Sequence, residues 1–257
     1  MAAIANREVS NTMSRWRIDV CYDGTAYEGW QVQPGRQTVQ GEVEKALSTL
    51  GGAPVKVHAS GRTDSGVHAR LQVVHADIEK PLAPERVRRS MNALMPPDIR
   101  VSRARVVAPD FHARRGVREK EYRYFIWNAE VMPPFLRRYR LHVTHPLDVK
   151  AMCEAAALLV GRHDFASFTA NPNREVASTV RALSRLNVRK RGPEIVVTAA
   201  GEGFLYKMVR SLTGFLLNVG VGNMSPADAI RILGERTRTA HVETAPPQGL
   251  FLWNVRY

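Results

Sequence analysis

The segment Gly61-Arg62-Thr63-Asp64-Ser65-Gly66-Val67-His68-Ala69 sets one carboxylate between two glycines, with a guanidinium, hydroxyls and an imidazole close by. Glycine permits sharp turns and close approach of a ligand to the backbone. A carboxylate presented on such a turn can attack an electrophile, remove a proton or coordinate a cation. A plainer role is also open, because an Asp in a Gly-flanked turn commonly accepts N–H bonds from its own loop. Spacing alone favours the plainer role. Two other side chains invite chemistry. Arg210 interrupts an apolar helical pattern between Val209 and Leu212, where a basic residue either reaches solvent or finds a partner. Tyr122 lies in a strand pattern, where a ring is ordinarily core but also offers a stacking surface and a phenol.

Charge narrows the partners. Lys and Arg number 37 against 24 Asp and Glu, a formal net charge of +13 over 257 residues. Such an excess favours a polyanion, and nucleic acid first. Docking on a membrane surface would call for a polybasic amphipathic helix with apolar anchors, and none stands out. The basic residues gather in four runs: Arg86, Arg88 and Arg89; Arg114, Arg115, Arg118 and Lys120; Arg137, Arg138 and Arg140; Arg189, Lys190 and Arg191. Together they read as a surface that contacts phosphates. Cys21 and Cys153 sit in apolar patterns without a CxxC pair, so both are expected as reduced core residues. His142 and His145 lack further ligands, so no metal site is expected. His68 and His112 read as structural hydrogen-bonders. No apolar run has the length of a membrane span, no leader is evident, and Met1–Ser14 reads as a mobile tail of a cytoplasmic protein.

The elements that must hold these residues follow from periodicity. Trp16–Tyr22 alternates as a half-buried strand, Thr38 caps a helix that Gly51 ends, and Val55–Ala59 and Leu71–Ile78 are strands around the polar loop Ser60–His68. Pro84 opens a helix that Pro96-Pro97 stops, and Ile99–Val107 is a strand. The order β-α-β-β-α-β is that of a ferredoxin-like, or RRM-like, unit. Strands at Glu121–Trp127, Thr179–Val188, Ile195–Ala199 and Leu250–Val255 repeat it, with helices around Val149–Val160, Phe204–Val219 and Ala227–Leu233. The expected class is therefore α+β, with a first half at 15–108 carrying the Asp loop and a second at 109–257 carrying Tyr122 and Arg210.

GRTDSGVHA resembles the signature loop of the TruA family of tRNA pseudouridine synthases. Four further blocks resemble that family in the same order: YDGTAYEGWQVQPG at Tyr22–Gly35, DFHARRGVREKEYRYFIWN at Asp110–Asn128, GRHDFASF at Gly161–Phe168 and GFLYKMVRSLTGFLLNVG at Gly203–Gly220. One departure is Ser65, where Ala is more usual; both are small. The resemblance implies a pseudouridine synthase fold with Asp64 as the essential catalytic residue. It implies that Tyr122 contacts the target base, that Arg210 pairs with the carboxylate and that Arg62 touches the RNA. It implies tRNA as partner, with uridines on the 3′ side of the anticodon arm as targets and two chains gripping one tRNA. The isomerisation breaks the uracil N1–C1′ bond, turns the base and joins C5 to C1′. It is redox-neutral, so no cofactor is expected. Whether Asp64 adds to C1′, adds to the base or removes the C2′ proton stays open. A non-catalytic pair of RRM-like halves, or a metal-dependent nuclease drawing Asp19, Asp23 or Asp77 toward Asp64, are the competing readings.

Overall fold

Alternation decides most strands of the computed structural model, which describes residues 13–170, 176–240 and 242–257. In β1 (Ser14–Tyr22) the residues Trp16, Ile18, Val20 and Tyr22 are buried, as the period-two pattern requires. Then follow α1 (Val39–Gly51), β2 (His58–Ala59), β3 (His68–Ile78), α2 (Pro84–Leu94), β4 (Ile99–Val106) and β5 (Glu119–Asn128). The remainder runs β6 (Leu141–Val143), α3 (Val149–Leu158), β7 (Gly161–Asp164), β8 (Val180–Arg191), β9 (Glu194–Gly201), α4 (Met208–Gly220), α5 (Asp228–Glu235) and β10 (Leu250–Arg256). The chain is thus of mixed α+β class. Among the described residues ten strands join one mixed sheet in the order β4-β1-β3-β10-β5-β9-β8-β7, with β2 beside β3 and β6 beside β5. Strand residues and the apolar stripes of the helices, among them Val39, Val43, Leu47, Val87 and Met91, belong to one continuous core.

The helix ends obey local chemistry. The Thr38 hydroxyl accepts the Gly41 N–H, and Gly52 closes α1 at φ 80°, the left-handed cap that glycine adopts without strain. Asp148 caps α3 by accepting from Ala151 N–H. Pro84 opens α2.

Several expectations are corrected. The strand expected at Val55–Ala59 contracts to His58–Ala59, because side chains of α1 take its donors: Val55 N–H goes to Ser48 Oγ and Val57 N–H to Glu44 Oε1. The loop expected to reach His68 ends earlier, since His68 already begins β3. The helix expected from Phe204 begins at Met208, preceded by Lys207 at φ 55°. β6 and β7 were not expected, and β7 is the GRHD stretch paired with β8. Cys153 is exposed rather than core, because α3 buries Met152, Ala155 and Ala156 instead. Of the expected tail, residues 1–12 lie outside the described residues, and Ser14 already pairs with Ile78. Among the described residues no helix is long and apolar enough to cross a membrane.

Candidate active site

The loop at 61–67 is shaped by the segment that follows β1. Trp30 N–H donates to Thr63 O at 3.0 Å, and Gly66 N–H to Tyr27 O at 3.3 Å. The fit is close: a Cβ on Gly29, whose φ is +85°, would stand 2.8 Å from the Thr63 carbonyl oxygen, and one on Gly24 2.0 Å from that of Val67. Any side chain at either position would push the loop away. From below, the Tyr22 and Thr63 hydroxyls share a hydrogen bond of 2.8 Å, and Gln72 donates to Gly61 O at 2.9 Å. His68 is structural: Nδ1 accepts the Gly24 N–H at 3.0 Å, and Nε2 meets Arg138 O and Gln248 O at 3.0 and 3.2 Å. Burial holds its pKa below the ordinary value, which suits a neutral ring wedged between backbone groups.

Asp64 thereby stands half-buried, and Arg210 Nη1 donates to its Oδ2 at 3.0 Å across 146 residues of sequence. Arg210 occupies the first turn of α4, where the helix dipole opposes a cation. A carboxylate beside it offsets that opposition. The guanidinium is fixed a second time, Nε donating to Ala245 O at 2.7 Å, while Ala245 N–H donates to Arg210 O at 3.1 Å. The pair lines a cleft of about 870 Å³ together with Arg62, Tyr122, Phe204 and Lys207.

Tyr122 is 8% exposed. Its ring meets Phe204 edge-on at 5.1 Å. Burial above all, with the neighbouring Tyr22 and Asp64, raises its phenol pKa, so the hydroxyl keeps its proton. Arg62 is exposed at the rim. All four residues singled out in the sequence, Asp64, Arg210, Tyr122 and Arg62, therefore come to one cleft.

Other expectations divide. The basic runs are not equivalent: Arg88 and Arg89 pair with Glu85, and Arg140 pairs with Glu194. Arg114 lines the cleft itself. His142 Nε2 meets Ala129 O, and among the described residues no group of three His, Cys, Asp or Glu could hold a metal ion. Asp77 binds Arg15 and Asp19 binds Arg17, so neither joins Asp64. The sequence reading missed Lys120 as a cleft residue. It shares a face of β5 with Tyr122, two residues on, and that alternation was the signal available. Lys207, in the left-handed region that non-glycine residues adopt at a cost, was missed too, since nothing in the sequence announces it.

Comparison with known proteins supplies the family. The family model described as tRNA pseudouridine synthase matches residues 20–114 and 155–257. The tRNA pseudouridine synthase A of an Exiguobacterium species is 44% identical over 245 residues, which covers 95% of this chain and 98% of that protein. The protein of that name from Shouchella clausii is 45% identical over 246 residues, covering 95% and 94%. That from Bacillus subtilis is 43% identical over 245 residues, covering 95% and 99%. A cleft built around a carboxylate, a guanidinium and a buried phenol thus sits in an isomerase scaffold. The chain belongs to the tRNA pseudouridine synthase family.

Proposed function

We propose that the protein isomerises uridine to pseudouridine on the 3′ side of the tRNA anticodon arm, with Asp64 as the catalytic carboxylate and no cofactor. The observation that carries this reading is the 3.0 Å Asp64–Arg210 pair in a cleft also lined by Tyr122. The target uridine must leave its stack, at about a few kcal/mol, and a cleft of about 870 Å³ accommodates a nucleotide. Arg210, itself held by Ala245 O, keeps the carboxylate in one orientation through a charge-assisted hydrogen bond. The Tyr122 ring gives the uracil a stacking surface, and its protonated phenol is available for proton movement at C5. Arg62 at the rim contacts the RNA.

The strand orders β4-β1-β3 and β10-β5-β9-β8 support reading the chain as two βαββαβ halves, 15–108 and 109–257, joined where β3 meets β10. Family likeness supports a cytoplasmic homodimer that grips one tRNA.

Asp64→Asn tests the carboxylate. Asn keeps the shape and can accept a turn hydrogen bond, but it is neither nucleophile nor strong base. Pseudouridine formation is expected to fall at least about 10³-fold, with melting temperature kept and tRNA affinity equal or slightly tighter, because a negative charge facing the RNA is gone. Robust turnover by folded Asp64→Asn protein would return Asp64 to a turn-closing role.

A further inference from the structure

The cleft continues past Asp64. Gly61, Arg62 and Arg114 line both it and a neighbouring cleft of about 540 Å³ that is also faced by Lys56, His58 and Arg115. Lys120 stands at this shared end. A Cβ on Gly61 would meet Lys120 Nζ at 3.4 Å and the Tyr122 hydroxyl at 3.8 Å. The ammonium is half-buried, and among the described residues no carboxylate lies within ion-pair distance of it.

The nearby acids are all committed. Asp64 holds Arg210. Glu28, across the cleft, lies 3.6 Å from Arg36. Glu119 and Glu121, its neighbours on β5, point to the opposite face, where Glu119 meets Arg256 and Ser184 and Glu121 meets Arg123 and Arg185. A cation withdrawn from water and left without a counter-charge is costly. The Arg114 guanidinium, also at this end, adds repulsion. An anion placed between them relieves both costs. The uracil base is neutral, so the anion a tRNA strand brings is its phosphodiester.

We propose that Lys120 and Arg114 form a phosphate clamp that holds the backbone of the extruded nucleotide while Asp64 and Tyr122 act on its sugar and base. The clamp rests on the activity proposed above. It separates two tasks along one face of β5, with Tyr122 serving the base and Lys120 the backbone.

Burial first, and Arg114 second, lower the Lys120 pKa from 10.5 to about 8. The sign follows directly: the Lys120 half of the clamp is charged below about pH 8 and loses its charge as pH rises through that value. Arg62, Arg114 and Arg210 also face the cleft, and burial keeps the Tyr122 phenol protonated. Lys207 faces the same cleft from the turn before α4, so replacement at position 120 is needed to separate the two lysines.

The experiment measures pseudouridine formation and direct tRNA binding across pH and salt for the full-length wild type, Lys120→Met and Lys120→Arg. For wild type, kcat/KM should fall above about pH 8, because it reports the free enzyme's titration. Lys120→Arg should hold kcat/KM level there. Lys120→Met should raise KM and Kd about tenfold with kcat nearly unchanged, and should make the slope of log affinity against log salt shallower by about one. A fall in kcat at unchanged KM, or an alkaline fall that persists equally in Lys120→Met, overturns the clamp. If wild type forms no pseudouridine, the proposed activity fails instead, and the binding and salt measurements still decide for or against the clamp.

Discussion

Arg210 and Lys120 bring positive charge to the same cleft from opposite surroundings. Arg210 is engaged on two sides, by Asp64 at 3.0 Å and by Ala245 O at 2.7 Å. Lys120 has no acidic partner among the described residues, although Glu119 and Glu121 flank it in sequence. A cation satisfied by the protein is a fixed part of the scaffold, and removing it leaves a partly buried carboxylate unpaired. A cation the protein leaves unsatisfied has its favourable interaction still to make, and a ligand supplies it. The chain thus spends one positive charge on orienting its carboxylate and, in the clamp proposed above, holds another for the substrate.

The contrast predicts that the two sites fail in different parameters. Arg210→Gln should lower kcat by about 10²–10³-fold, on the scale of losing a preorganised electrostatic partner, while tRNA affinity changes little. Single-turnover kinetics at saturating enzyme measure it. A variant that raised KM alone would erase the distinction from Lys120. Tyr122→Phe keeps the ring edge against Phe204 and removes the phenol. Turnover should drop by about 10²-fold with binding preserved if the hydroxyl moves a proton; equal turnover would leave stacking as its whole contribution. The smallest effect on turnover is expected where the two clefts meet. Replacing Arg114 and Arg115 by Ala should make the salt dependence of tRNA binding shallower by about one to two slope units. Replacing Arg88 and Arg89, already paired with Glu85, should barely move it, and an equal effect from both pairs would mean that charge alone, not placement, governs affinity.

Where local chemistry controls the outcome, the sequence was readable. Thr38 and Pro84 start their helices as expected, and the alternation of β1 gives its buried face directly. Asp64 on its glycine turn was visible as a candidate, but spacing could not separate catalyst from turn-closer. What joined it to Arg210 and Tyr122 was the resemblance of ordered motifs, since a contact spanning 146 residues leaves no mark in local pattern. One physical hint did exist: a cation in the first turn of an otherwise apolar helix asks for a partner. Elsewhere tertiary contacts overruled propensity. Val55 and Val57 have strand-forming side chains, but α1 side chains capture their N–H groups. Lys120 disappeared into a basic run because composition counts charges, whereas function depends on which face of β5 each one occupies.

The meeting of β3 and β10 has a mechanical consequence. These strands pair in parallel through two residue pairs, Phe251 with His68 and Leu252 with Ala69, whereas β5 and β9 pair through eight. This is the thinnest ladder in the middle of the sheet, with Asp64 just before β3 on one side of it and Tyr122 in β5 on the other. The Asp64–Arg210 bridge crosses that seam and adds a side-chain tie to the short ladder. The position of the carboxylate is therefore set from both sides of the seam, by its own loop before β3 and by α4 through Arg210.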